Sequence, residues 1–200
     1  MSTIDNETYI VNSKNMDLAK RDKILAAALD VFVRYGYKRV TMNDIAAAAG
    51  ISRPALYLVF ESKEDIFKSV YLHWVKGTLD EIEAKIGQLK TPEEKLRAAF
   101  ELWTVLPFER MRTSSEVAEL LECTFGFAQD SVDQGYRSFE KIIVPVLKSH
   151  SKFQSSKPKV SAEKTAHVLS GAVRGFKIIA KDISEIRSLI KDLLILLLDE

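Results

Sequence analysis

Apolar residues recur at three- and four-residue intervals along most of the chain, which is the spacing of an amphipathic α-helix. The first such stripe starts at Leu18, passes through Ile24 and Phe32, and stops at Gly36. No stretch alternates apolar and polar residues as a strand would, and the sequence shows no internal repeat. We therefore predict an all-α protein, in which residues 1–17 lack the helical period and form a flexible N-terminal arm.

Later helix starts are marked by serine, threonine and acidic residues in capping positions. The clearest start is Thr91-Pro92-Glu93-Glu94, which combines a capping box with a proline in the first turn. The predicted helices after the first cover about 42–49, 53–59, 62–89, 91–106, 113–126, 131–150, 161–181 and 184–199. Pro107 is expected to interrupt the chain after the fifth helix. We thus expect about nine helices, divided into a three-helix unit at 18–63 and a larger helical domain at 64–200.

Part of the predicted N-terminal unit has the features of a helix-turn-helix. Thr41 is placed to cap a helix at Met42–Ala49, and Gly50 can adopt the left-handed conformation that a sharp turn requires. Ser52 caps a second helix, and Pro54 is harmless in its first turn because N–H groups there lack helical partners. Such a short helix persists only if its neighbours bury its apolar face. The spacing of these residues is also compatible with a capped helical corner that has only a structural role in an all-α protein.

The free face of the second helix carries groups suited to DNA. Arg53 lies at the start of this helix, where side chains of a recognition helix reach base edges in the major groove. Two hydrogen bonds from Arg53 to guanine are worth about 1–3 kcal/mol of discrimination. Arg39 and Lys63 flank the unit, and residues 18–63 hold eight basic side chains against four acidic ones. This excess is modest, but it coincides with the candidate DNA-binding segment.

The segment from Thr41 to Lys63 closely resembles the DNA-binding signature of the TetR family of repressors. The helix lengths, the turn glycine, Tyr57 and Phe60 fall in register, and the resemblance covers about residues 18–67. It implies that backbone phosphates are anchored by Thr41, Ser52 and Lys63, and that the groove or its edge is faced by Arg53, Pro54, Ala55 and Tyr57. Val59 departs from the family, which often has histidine near the DNA backbone at this position, so one phosphate contact is expected to be absent.

The resemblance implies that residues 64–200 bind a ligand and form a dimer. Two recognition helices about 34 Å apart bind DNA more tightly than one, which favours a homodimer on a near-palindromic operator. The last two helices are the best candidates for a twofold four-helix interface, although internal core is an equal alternative for each residue. The candidate interface residues are Leu169, Ala172, Val173, Phe176, Ile190, Leu193 and Leu197.

Aromatic residues are concentrated between the N-terminal unit and these last helices. They suggest a pocket for a small apolar or amphipathic effector, with ordinary core as the plainer alternative. The candidate pocket residues are Trp74, Trp103, Phe108, Cys123, Phe125, Phe127 and Tyr136.

Several classes of protein are disfavoured by the composition. One cysteine excludes an internal disulfide, and three histidines without ligand spacing argue against a metal site. No phosphate loop or nucleophile elbow is found, so we expect neither a cofactor nor an enzyme. The sequence has no signal peptide and no apolar run near the ~20 residues of a membrane span, which favours a cytoplasmic protein.

These observations together predict a homodimeric repressor that an effector releases from its operator. The sequence does not separate this function from that of an activator or a corepressor-dependent regulator. Alternatives from other classes are a helical protein–protein adaptor without DNA binding and a small helical enzyme. Sequence preference in DNA binding, measured with its salt dependence, distinguishes these classes.

Overall fold

The computed structural model describes residues 6–113, 115–154 and 160–198, and within these ranges the regular structure is entirely helical. The predicted all-α class is confirmed. The α-helices are α1 Asn6–Tyr35, α2 Met42–Ala49, α3 Arg53–Tyr57, α4 Lys63–Gly87, α5 Pro92–Phe100, α6 Leu106–Thr113, α7 Ser115–Phe125, α8 Gln129–Ser149, α9 Ala162–Ile179 and α10 Ile183–Leu198. A π-helical turn at Glu101–Val105 joins α5 to α6, and a 3₁₀ turn at Ser151–Phe153 follows α8.

Helix α1 is longer than its apolar stripe indicates. It begins at Asn6, so residues 6–17, which we expected to be a flexible arm, continue the helix, while residues 1–5 lie outside the described part. An apolar stripe marks burial rather than helix formation, and residues 6–17 contain neither glycine nor proline to stop the helix.

Pro107 does not end a helix as expected. The amide of Leu106 donates to the carbonyl of Glu101, five residues back, which is the bond of a π-helix. Because this wider turn comes just before Pro107, the proline occupies the start of α6 instead of interrupting a continuous α-helix. A single predicted helix at 91–106 is therefore three consecutive helical segments that extend to Thr113.

Two hydrophobic cores hold these helices together. The N-terminal core joins α1, α2 and α3 to the first turns of α4, and its fully buried side chains include Phe32, Leu56 and Phe60. The C-terminal core joins α4, α5, the π-helical turn, α8, α9 and α10. Helix α4 belongs to both, since Phe67 lies in the first core and Ile82 in the second. Movement of α4 relative to one core therefore changes its contact with the other.

Candidate nucleic-acid interface

Helix α2 begins with a complete capping box. Asp44 N donates to Thr41 Oγ1 at 3.3 Å, while Thr41 N and Thr41 Oγ1 donate to Asp44 Oδ2 at 2.8 and 2.7 Å. The Thr41 hydroxyl, followed by the Thr41 backbone N–H, holds the pKa of the Asp44 carboxyl below its ordinary value. The Thr41 hydroxyl proton is therefore used inside the protein, and this residue offers DNA an acceptor oxygen rather than a free donor.

The turn from α2 to α3 depends on Gly50. Its φ of 68° is left-handed, and the amide of Ile51 bonds back to the carbonyl of Ala46 at 3.0 Å, which closes the end of α2. Ser52 Oγ then accepts the amide of Ala55 at 3.3 Å, which leaves the hydroxyl proton of Ser52 outside this contact. These contacts confirm the predicted helix-turn-helix.

The five-residue helix α3 is buried on one side and exposed on the other. Leu56 is fully buried, whereas Arg53, Pro54 and Tyr57 are exposed and Ala55 is partly exposed. Arg53 Nη2 donates to Tyr57 Oη at 3.3 Å, and the guanidinium lies 5.5 Å from the centre of the Tyr57 ring. Leu58 follows with 85% of its surface exposed. The predicted groove-facing residues thus form one surface, on which Arg53 rests against Tyr57.

Lys63 has contacts that its predicted phosphate role does not describe. Its Nζ donates to the carbonyl oxygens of Tyr37 and Val40, both at 2.9 Å, and lies 4.2 Å from the centre of the Tyr37 ring. An ammonium has three donors, so one remains for an outside acceptor. Lys63 is therefore a clamp on the turn between α1 and α2, whereas Arg39 on the same turn is exposed.

Sequence reasoning missed a brace between α1 and α4. Arg21 Nη2 donates to Ser69 Oγ at 2.9 Å, and its guanidinium lies 4.4 Å from the centre of the Phe60 ring. Spacing gave no signal for this contact, because Arg21 looks like any basic residue on a solvated helix face. Arg21 holds α4 against the end of the helix-turn-helix.

The structure separates the predicted effector-pocket residues into two cores, so they do not line one pocket. Trp103, Phe108 and Tyr136 are buried in the C-terminal core, against which Trp74 packs. Cys123 is buried in the N-terminal core and Phe127 packs against it, and Phe127 lies 5.3 Å from Tyr37 and 5.4 Å from Phe67 between ring centres. The Phe125 side chain lies outside the described part. Aromatic composition did not indicate which core each ring joins.

A groove of about 390 Å³ lies elsewhere, between α4 and α8. Its lining includes the apolar Val75 and Leu79, and it includes none of the predicted pocket residues. Gly135 allows α8 to approach α4 here, since a Cβ at this position would lie 3.3 Å from both Tyr71 Oη and Val75 Cγ2.

The seven predicted dimer-interface residues fall into a buried set and a partly exposed set. Leu169, Val173 and Ile190 are buried in the chain's own C-terminal core, so they are not available to a partner. The other four, Ala172, Phe176, Leu193 and Leu197, are partly exposed. The strongly exposed apolar residues of these helices are different ones: Val168, Ile178, Ile179, Ile195 and Leu196. Helical periodicity located the two helices but did not distinguish their inner faces from their outer ones.

The described part of the chain holds no group of three or more histidine, cysteine or acidic side chains placed to bind a metal. None of its helices combines the length and apolar character needed to span a membrane.

The N-terminal part of the chain is similar to the corresponding part of known transcription regulators. Residues 24–70 match the model of bacterial regulatory proteins of the tetR family. The transcriptional activator FasR of Mycolicibacterium smegmatis is 34% identical over 82 residues, which are 41% of this chain and 37% of FasR. The repressor KstR2 of the same organism is 35% identical over 85 residues, covering 41% of this chain and 40% of KstR2. The chain thus spans about two fifths of the length of these relatives. Both relatives are named as transcription regulators and not as enzymes.

The fold is shared over most of the chain with a solved structure. The regulator FadR of Bacillus subtilis, solved in complex with stearoyl-CoA, has a TM-score of 0.60 and 19% identity. The alignment covers 88% of this chain and 97% of that one. The likeness therefore extends to the larger helical domain, which the family model does not reach.

Proposed function

Since the chain belongs to the tetR family of bacterial regulatory proteins through its domain at residues 24–70, we propose that it is a sequence-specific, homodimeric DNA-binding repressor. The observation that carries this proposal is the exposed start of α3. Arg53 and Tyr57 face outward from a helix whose other side, including Leu56, is buried. A five-residue helix held this firmly, with Arg53 at its exposed N-terminal end and Tyr57 one turn later on the same face, suits insertion into the major groove.

The residues around α3 divide into two kinds of contact. Arg53 hydrogen-bonds to a base once its hydrogen bond to Tyr57 is broken. Pro54, Ala55 and Tyr57 face the groove or its edge. Arg39, Ser52 and the remaining donor of Lys63 position the backbone phosphates, and the N-termini of α2 and α3 favour the same anions.

A homodimer supplies the second recognition helix. The outer face of α9 carries Val168, Ile178 and Ile179, which are 58%, 75% and 63% exposed, and Leu196 of α10 is 82% exposed. Apolar residues concentrated in this way on adjacent helices mark an interaction surface. Pairing this surface with its copy would place two α3 helices on a near-palindromic operator in the cytoplasm.

Release from DNA is proposed to follow binding of a small effector to the larger domain. Helix α4 belongs to both cores, so an effector that favours one position of α4 changes the separation of the two α3 helices. FadR of the same fold binds stearoyl-CoA, which supports a small-molecule ligand. Because FasR is named an activator and KstR2 a repressor, a reporter gene with its operator determines the sign of regulation.

Selection of duplexes from random DNA tests the proposal. The purified protein is expected to enrich one near-palindromic sequence and to bind it at least a hundredfold more tightly than unrelated DNA, with affinity that falls as salt rises. Arg53→Ala should relax preference at one base pair per half-site, whereas Arg39→Ala should weaken binding to all sequences alike. Failure to enrich any sequence would refute the DNA-binding function and favour an adaptor.

A further inference from the structure

A cluster of charged and aromatic side chains lies where α4, α8 and α9 meet, and we call it the cationic cluster. Its members are Tyr71, Asp133, Tyr136, Arg174 and Lys177. Arg174 Nη1 donates to Asp133 Oδ1 at 2.8 Å, and the same oxygen accepts Gln129 Nε2 at 2.9 Å. The Arg174 guanidinium and the Lys177 ammonium lie 4.9 and 5.8 Å from the centre of the Tyr136 ring. Asp133 therefore pairs with Arg174, while Lys177 lies beside the same Tyr136 ring without a carboxylate of its own among the described residues.

Lys177 is partly buried and lies on the inner side of α9, away from the proposed dimer surface. It follows Ala166, Ser170 and Val173 at helical spacing, and these three are buried. Burial, and then the charge of Arg174, lowers the pKa of the Lys177 ammonium to about 8. Within the described ranges no hydrogen bond or ion pair of its Nζ is found, and its recorded contact is the Tyr136 ring. Asp133 pairs with Arg174 and is also influenced by the charge of the exposed Arg137, so it does not serve as a partner for Lys177.

Buried polar groups of the larger domain also lack hydrogen-bond partners among the described residues. The Trp103 ring stands at 90° to Tyr136 with 5.5 Å between centres, and its buried Nε1 has no partner among the described residues. The same holds for the buried Oγ of Ser170, two turns before Lys177 on α9. Burial raises the pKa of the Tyr71 and Tyr136 phenols, so both stay protonated and able to donate. Folded proteins satisfy nearly all such groups, and an N–H of tryptophan can only donate.

From this placement we infer that the cationic cluster binds the carboxylate of a largely apolar effector, with Lys177 supplying the neutralising charge. The inference rests on the proposed function, since it names the effector's chemical class. A carboxylate would bring the one negative charge that pairs with the Lys177 ammonium, whereas a phosphate monoester would bring nearly two. The rest of the molecule would contact the buried rings of Trp103 and Tyr136, which pack against each other beside the cluster.

The location also explains how binding reaches DNA. Tyr71 lies one helical turn after Phe67 on α4, and Phe67 packs in the N-terminal core 5.3 Å from the Tyr37 ring. A carboxylate drawn to Lys177 and bonded by Tyr71 would hold α4 against α8 and α9. The ligand would thereby select one position of the helix that both cores share.

The test uses the full chain and straight-chain carboxylates of two to ten carbons, together with benzoate. Calorimetry should show that one of these binds at least tenfold more tightly than its alcohol and its alkyl phosphate. Lys177→Met should lose this binding at least tenfold, and Lys177→Arg should retain it. Methionine nearly matches the volume of lysine and removes a partly buried charge, so the variant is expected to fold. Lys76→Met, on an exposed residue of the α4–α8 groove, is the matched control and should bind as wild type does.

A second measurement needs no substitution at the site. The chain has two tryptophans, so indole N–H resonances in an ¹⁵N spectrum number two, and Trp74→Phe assigns them. The carboxylate should shift the Trp103 signal. Binding of no carboxylate, equal binding of the alcohol, or loss in Lys76→Met instead of Lys177→Met would each overturn the inference. Calorimetry requires no DNA, so this failure is separate from failure to select an operator.

Discussion

The amide of Lys38 donates a 2.6 Å hydrogen bond to Oε1 of Glu119, 81 positions later in the chain. This contact joins the turn between α1 and α2 to α7. The other carboxylate oxygen lies against Gly36, where a Cβ would come within 2.7 Å of it. Phe127 reaches the same turn by packing on Tyr37. The segment from α7 to the start of α8 therefore holds the turn that positions the helix-turn-helix.

Gly36→Ala should destabilise the protein for two reasons that can be separated. The φ of Gly36 is 80°, which costs an alanine about 1–2 kcal/mol, and the new Cβ collides with the Glu119 carboxylate. Urea unfolding should show a loss of at least that size. Gly77→Ala is the control, since space is open at this helical glycine and the change should stabilise by about 0.5–1 kcal/mol.

The double variant Gly36→Ala/Glu119→Ala isolates the collision. Relative to Glu119→Ala alone, the alanine at position 36 should then cost only the conformational term. An unchanged free energy of unfolding in Gly36→Ala would contradict both the left-handed turn and the contact with α7.

Local signals in the sequence predicted local structure well. Thr41, Ser52, Thr91 and Ser161 each cap the helix expected of them, because a cap requires only one side chain and an amide three residues later. The π-helical turn before Pro107 was not predictable in this way. A proline after an apolar stripe is compatible with a break or with a widened turn, and packing in the C-terminal core decides between them.

Features that depend on contacts between distant parts of the chain could be identified only from the folded structure. The segment from Phe100 to Phe139 contains rings of both cores, and no periodicity separates Trp103 from Phe127. On α9, Val173 and Ile178 are both apolar, yet the first is buried and the second exposed. The cationic cluster joins three helices and was not anticipated, since Arg174 and Lys177 resemble the basic residues of any helix near its C-terminus.

Lys63→Met should lower stability as well as DNA affinity. The substitution removes both hydrogen bonds to the carbonyls of Tyr37 and Val40, which we expect to cost about 1–3 kcal/mol in urea unfolding. Binding to selected and unrelated duplexes should weaken together. Arg39→Met is the matched control, because its exposed side chain should affect DNA binding and leave the free energy of unfolding unchanged. If Lys63→Met has the same free energy of unfolding as wild type, the Lys63 hydrogen bonds do not stabilise the turn between α1 and α2. Lys63 would then act only through a contact with a DNA phosphate.

The capping box of α2 should make stability depend on pH through Asp44. Its pKa is lowered in the folded protein, so the unfolded chain binds the proton more readily. The stabilisation that the ionised Asp44 carboxylate provides is therefore complete above its ordinary pKa of 3.8. It is lost as the pH falls through the lowered pKa of the folded protein. Asp44→Asn should be less stable than wild type near neutral pH, with a difference that shrinks in acid. An Asp44→Asn difference that stays constant down to the lowest pH would exclude this role.

The outer face of α9 and α10 makes a direct prediction about assembly. Ile178 and Leu196 are 75% and 82% exposed, and water contact with side chains this apolar is unfavourable unless a second surface covers them. Light scattering after gel filtration should give the wild-type chain twice its own mass. Ile178→Glu and Leu196→Glu should each shift it to a monomer, because two-fold symmetry places every introduced charge in the interface twice. Neither change touches the buried side of its helix, so the helical content should persist.

Leu58→Glu, at a residue 85% exposed beside α3, is the control for the loss of an exposed apolar side chain, and this variant should remain a dimer. A monomeric wild type would refute the dimer, whereas dimers of both the α9 and the α10 variants would place the interface elsewhere. Since a monomer presents one α3, the same variants should also lose the affinity that two half-sites provide while retaining binding to one.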